Sequence, residues 1–145
     1  MIRRNQILRL AALSACLTAL PLAAGADDAS AALSLELNAV AEAEGGCLLT
    51  FVAENGHATD IAAAVFETVL MDATGRVERL TLFDFGTLPA GRPRVRQFVV
   101  PDLACADLGR VLINGAHLCE AGEPGLAPCA EGLRLGTRTD VEVIG

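Results

Sequence analysis

Four cysteines constrain this chain more than any other feature. Of the five in the sequence, Cys16 lies inside an N-terminal apolar segment, which leaves Cys47, Cys105, Cys119 and Cys129 in the remainder. An even number of cysteines in a small exported domain reads as two disulfides formed in an oxidising compartment. No two of them are spaced Cys-x-x-Cys, so the pattern does not point to a thioredoxin-like redox pair. The expectation is a stapled extracytoplasmic module and not an enzyme of cytosolic metabolism.

The N-terminus fits that compartment. Arg3, Arg4 and Arg9 precede an apolar run from Leu10 to Ala24, and Ala24-Gly25-Ala26 follows with small residues. This is the three-part pattern of a helical secretory signal peptide, with cleavage expected after Ala26. The run holds 15 residues, short of the roughly 20 that span a bilayer as a helix. Two competing readings accompany it. Leu13-Ser14-Ala15-Cys16 fits a bacterial lipobox, which would leave Cys16 acylated and the protein anchored. Against it, Leu17 to Leu22 stays hydrophobic where a lipoprotein turns polar. Arg3-Arg4 resembles a twin-arginine signal, but Asn5-Gln6-Ile7-Leu8 departs from that pattern, so the Tat and Sec routes both stay open. The expected organisation is a signal peptide over 1–26, a linker over 27–32 and one domain over 33–145.

Removing residues 1–26 removes three arginines and no acid. The remainder carries eight Arg against 18 Asp and Glu, a net charge of −10. Such a surface argues against nucleic acid or anionic lipid as the main partner. Trp and Tyr are absent, which weakens both sugar stacking and aromatic hot spots as modes of recognition.

The dominant period is two. Leu33, Leu35 and Leu37 alternate with Ser34, Glu36 and Asn38, as in a half-buried strand. Ala39 to Gly46 reads as a connection, and Cys47 to Ala53 as a second strand ended by Glu54-Asn55-Gly56. Asp72-Ala73-Thr74-Gly75 has the composition of a type I turn. It joins a hairpin of Val65–Met71 with Val77–Phe85, the preceding alanines notwithstanding. Arg94 to Val100 makes the next strand, Gly109 to Leu118 another with a break at Asn114-Gly115, and Leu133 to Ile144 the last, with a break near Gly136. Cys105 lies in one loop, and Cys119 to Cys129 is another. Seven short strands at this spacing predict an all-β fold, an immunoglobulin-like antiparallel β-sandwich.

The order Leu33–Leu37, Cys47, Glu54-Asn55-Gly56, Asp72-Ala73-Thr74-Gly75, Leu88-Pro89-Ala90-Gly91, Leu103-Ala104-Cys105 and Gly109-Arg110-Val111-Leu112 resembles a group of alphaproteobacterial exported proteins often labelled as Tat-signal domain proteins. The Leu-Pro-Ala-Gly turn is similar to those of bacterial immunoglobulin-like modules. The likeness covers nearly the whole mature chain, and none of its motifs is chemical. It implies a periplasmic partner role beside energy-transduction or transport complexes of the TonB/Tol type.

Residues with chemistry to offer are few. Cys105, His117, Cys119 and Cys129 lack the paired short spacings of a zinc site. A blue-copper set would need two His, one Cys and a weak axial Met. His57 and His117 are present, but the only Met after the signal segment is Met71, far upstream of Cys119. No catalytic residue, metal site or cofactor is assigned. Arg92, Arg94 and Arg96 recur at period two and form a candidate docking stripe for a carboxylate-rich partner; the plainer reading is a solvated face or edge protection. For the cysteines, sequence alone leaves three pairings open. The sandwich topology selects Cys47–Cys105, which places the start of the second strand beside the fifth-to-sixth connection, and Cys119–Cys129 at the opposite end. The expected function is a non-enzymatic periplasmic interaction module with an envelope protein partner and no membrane span after cleavage. The alternatives are a small-ligand or copper carrier and a lipid-anchored envelope protein.

Overall fold

The computed structural model describes residues 31–122 and 124–145. The expected signal peptide, Cys16 and most of the 27–32 linker lie outside the described residues. The chain forms β1 (Leu33–Ala43), β2 (Gly46–Asn55), β3 (Ile61–Met71), β4 (Val77–Leu88), β5 (Arg94–Pro101), β6 (Arg110–Glu120), β7 (Arg134–Thr137) and β8 (Glu142–Ile144). A 3-10 turn spans Cys105–Asp107 and a single helical turn, α1, spans Ala127–Ala130. Two four-stranded sheets result, ordered β5-β2-β1-β7 and β4-β3-β6-β8. The architecture is all-β and two-layered.

Alternation builds each sheet and the core between them. Leu33, Leu35 and Leu37 of β1, and Cys47, Leu49, Phe51 and Ala53 of β2, are fully buried. They face Ala64, Phe66 and Leu70 of β3, Phe83 and Phe85 of β4, and Val111 and Ile113 of β6 within one cluster. All five phenylalanines interlock. Phe51 meets Phe83, Phe85 and Phe98 edge-on, with ring centroids 5.6–6.1 Å apart. Phe83 and Phe98 stack at 4.2 Å.

Several elements differ from the sequence reading. The expected connection over 39–46 is mostly strand: β1 continues to Ala43 and turns at Glu44-Gly45 into β2. The hidden cause is a bulge at Asn38, between the pairs Leu37↔Phe51 and Ala39↔Thr50. One extra residue inverts the side-chain phase, so Val40 and not Ala39 packs against the core. The alternation therefore breaks in sequence where the strand does not break in space. β3 begins at Ile61 and absorbs the alanines, because Ala64 sits fully buried between β4 and β6.

The last expected strand is two strands in different sheets, and the antiparallel expectation fails at both. β7 pairs parallel with β1, and β8 pairs parallel with β6. The reason is the route of the chain. From Glu120, opposite Ala63, the loop crosses to the start of β1, where Arg134 pairs with Ser34. The break falls at 138–141 and not at Gly136. There the Thr137 hydroxyl accepts from the Thr139 amide, and the Thr139 hydroxyl accepts from the Val141 amide, both at 3.1 Å. Such local bonds offer the backbone an alternative to the ladder. Buried Val141 then starts the chain into the second sheet.

Candidate functional site

Cys47 is bonded to Cys105 and Cys119 to Cys129, the pairing that the topology selected. Cys47 opens β2 and reaches the 3-10 turn after β5, while Cys119 near the end of β6 holds α1. Two disulfides mark an oxidising compartment. With all four sulfurs bonded, none is free to act as a thiolate ligand, which removes the copper and zinc sets drawn from them. Among the described residues no group of three His, Cys, Asp or Glu side chains is placed to hold a metal ion. His57 is tied to the Pro128 carbonyl through Nε2 at 2.8 Å, and His117 is exposed on β6.

The arginine stripe is not the free surface that its spacing suggested. Arg94 and Arg96 pair with Ala53 and Phe51, in phase with Phe98 and Val100, so they lie on the core side of the edge strand β5. Arg96 reaches across the open side of the sandwich to β4. Its Nε donates to the Phe85 carbonyl at 2.6 Å and its Nη2 to the Thr87 carbonyl at 3.0 Å. Arg79 makes the reverse crossing, from β4 to the Pro101 carbonyl of β5 at 2.8 Å. These two guanidiniums close the β4/β5 edge by occupying carbonyls that an incoming strand would need. Arg94 donates to its neighbour's Pro93 carbonyl at 3.1 Å, and Arg92 is exposed in the preceding turn.

A surface that spacing did not single out lies on the outer face of the second sheet. Directly opposed residues share a face, and the register sets them in rungs. Val77 and Met71 are followed by Arg110 and Glu142; Leu80 and Val69 by Leu112 and Ile144; Leu82 stands beside Glu67; and Asp84 and Val65 end at Leu118. Val77, Leu80, Leu82 and Leu118 are exposed at 56%, 59%, 48% and 39%, whereas Val69 in their midst is only 7% exposed. The face is a contiguous aliphatic ladder that no element among the described residues covers. The sequence signal was present in the run Val77-Glu78-Arg79-Leu80-Thr81-Leu82-Phe83, where aliphatics occupy the solvent phase of an edge strand. It was obscured by the Glu78 bulge between Val77 and Arg79.

The charges around this ladder are unevenly satisfied. Arg110 pairs with Glu142 at 2.5 Å, and Arg76 with Glu78 at 2.8 Å and Asp72 at 3.5 Å. Asp84, Glu67 and Glu120 form no ion pair among the described residues. Asp84 accepts from the Gly86 amide at 2.8 Å, and Glu67 accepts from the Asn114 amide group. Among the described residues no helix is long and apolar enough to cross a membrane. No family model, no curated protein and no solved structure matches the chain.

Proposed function

We propose that this protein is a non-enzymatic interaction module of the periplasm, exported by its N-terminal signal and built on an immunoglobulin-like sandwich. The observation that carries the reading is the aliphatic ladder on the outer face of β3, β4 and β6. Exposed aliphatics grouped on one rigid sheet face mark binding surfaces, whereas scattered ones need no explanation. Two disulfides and an interlocked phenylalanine core support the reading, because they hold that face in one shape before any partner arrives. The family resemblance supplies the partner class, an envelope component of a TonB/Tol-type energy-transduction or transport complex. Arg96 drops out of the partner surface, because its guanidinium is committed to β4 carbonyls.

A photo-activatable side chain at Leu82 tests this in intact cells, with the same probe at Val99 on the first sheet as a control. The expected result is a discrete crosslinked protein from position 82 and none from 99. Equal labelling at both, or none at 82, rejects the face as the working surface.

A further inference from the structure

We infer that the ladder of the second sheet receives a cationic amphipathic segment of the partner, in helical form. The inference rests on the interaction reading above and adds the chemistry of what is bound. Dimensions come first. The main rungs of the face cross β4-β3-β6, about 10 Å between outer strands, the diameter of one α-helix, and β8 widens the sheet only beside Arg110–Leu112. From Val77 to Asp84 the face runs for about 20–25 Å, which a helix of roughly 15 residues covers. The aliphatic rungs then offer a seat to a stripe of residues at i, i+3, i+4 and i+7.

Charge decides what flanks that stripe. Asp84, Glu67 and Glu120 lie at the Leu82–Leu118 end with no cation partner among the described residues, while the described arginines on and beside the face are already held, Arg110 by Glu142 and Arg76 by Asp72 and Glu78. The face therefore presents net negative charge beside exposed leucines. A second copy of this chain is a poor occupant, because stacking like faces adds acid to acid in a domain that over 33–145 already carries eight Arg against 16 Asp and Glu, a net of −8. Lysines or arginines flanking a leucine stripe complement it.

The test uses the processed, oxidised protein and two synthetic 18-residue helices with identical leucine positions, one carrying Lys and the other Glu elsewhere. Binding is followed by amide chemical shifts and calorimetry. The cationic peptide is expected to bind at least about tenfold more tightly than its Glu counterpart, with shifts confined to β3, β4 and β6 and affinity falling as salt rises. Leu80→Ser with Leu82→Ser should remove binding. Asp84→Asn with Glu67→Gln and Glu120→Gln should erase the preference for Lys. Val95→Ser with Val99→Ser on the first sheet should change neither. Equal binding of the two peptides, no binding of either, or a dimer that Leu80→Ser dissolves would overturn the inference. If a partner is still captured at Leu82 in cells, such a result leaves the interaction reading standing; if capture fails as well, both fall.

Discussion

The side-chain amide of Asn55 joins three segments at one end of the sandwich. Its Nδ2 donates to the Thr59 and Leu88 carbonyls, each at 2.9 Å, and its Oδ1 accepts from the His57 amide at 2.9 Å. The residue is fully buried, and its own carbonyl accepts from the Gly91 amide at 2.7 Å. Asn55→Ala should cost about 2–3 kcal/mol, because the buried Leu88 carbonyl then lacks its partner. Asn55→Asp should be at least as damaging, since a carboxylate would face those two carbonyls; urea titration of both variants checks this. On the surface, Asp72 organises the β3–β4 turn by accepting from the Thr74 hydroxyl at 2.6 Å and from the Thr74 and Arg76 amides. The Thr74 hydroxyl, then the Arg76 amide, hold its carboxyl below the ordinary carboxylate range, and Arg138 does the same for Glu36. A folded-state pKa that is depressed contributes stability above the unfolded value, and the contribution is lost as pH falls through the folded one. Acidification into and below the carboxylate range should loosen the 72–76 turn and the β1–β7 edge first. Carboxyl-carbon titration by NMR should place Asp72 and Glu36 below the same side chains in short unfolded peptides of the same sequence, and values at or above those of the peptides would contradict it.

Edges are the weak feature of any open sandwich, and the two arginines define how this one is closed. Each guanidinium carries charge-assisted hydrogen bonds between sheets whose strands are not otherwise paired there. Arg96→Ala should destabilise the domain by about 1–2 kcal/mol, and Arg96→Lys should restore only part, because an ammonium lacks the planar fork that reaches both carbonyls. Arg92→Ala should stay within about 0.5 kcal/mol of the parent. If all three variants melted alike, the edge-closing role would be excluded. A close approach governs the β1–β2 hairpin: a Cβ at Gly46 would run into the Val100 carbonyl of β5. Gly46→Ala should therefore push β5 outward and weaken the sheet on its Cys47 side, a change visible as faster amide exchange in β5.

At the scale of the whole molecule, the disulfides link regions that packing alone holds less firmly. Cys47–Cys105 joins residues 58 apart and Cys119–Cys129 joins residues 10 apart. On the chain-entropy model these separations correspond to about 4 and about 3 kcal/mol. Replacing Cys47 and Cys105 together by Ala should lower the denaturation midpoint more than replacing Cys119 and Cys129. The second replacement should instead free α1 and the loop after β6, including the His57–Pro128 contact. Denaturant titration with amide exchange distinguishes the two outcomes, and the reverse order of midpoints would reject the loop-length account. The ladder on the second sheet is a property of this scale too, since its rungs draw on β3, β4, β6 and β8.

Period-two alternation in Leu33–Leu37 and Cys47–Ala53 sufficed to predict strands, because each buries one face and wets the other. The turn chemistry of Asp72-Ala73-Thr74-Gly75 sufficed for the hairpin, and four cysteines for two cross-links. Local signals of that kind act over a few residues and are written in the chain. Three other features arose only when distant segments met. The bulge at Asn38 is set by its partner strand, and it hid the second half of β1. The sheet change at 138–141 depends on where the loop after Glu120 delivers the chain, so the parallel edges were not legible. The fate of the arginines turned on which sheet face Phe51 and Phe98 occupy: at period two Arg94 and Arg96 must share a face, but sequence does not say that it is the inner one. The aliphatic ladder was missed for the same reason. Leu80, Leu112 and Ile144 are far apart in the chain, and register across three strand pairs is what brings them into one row.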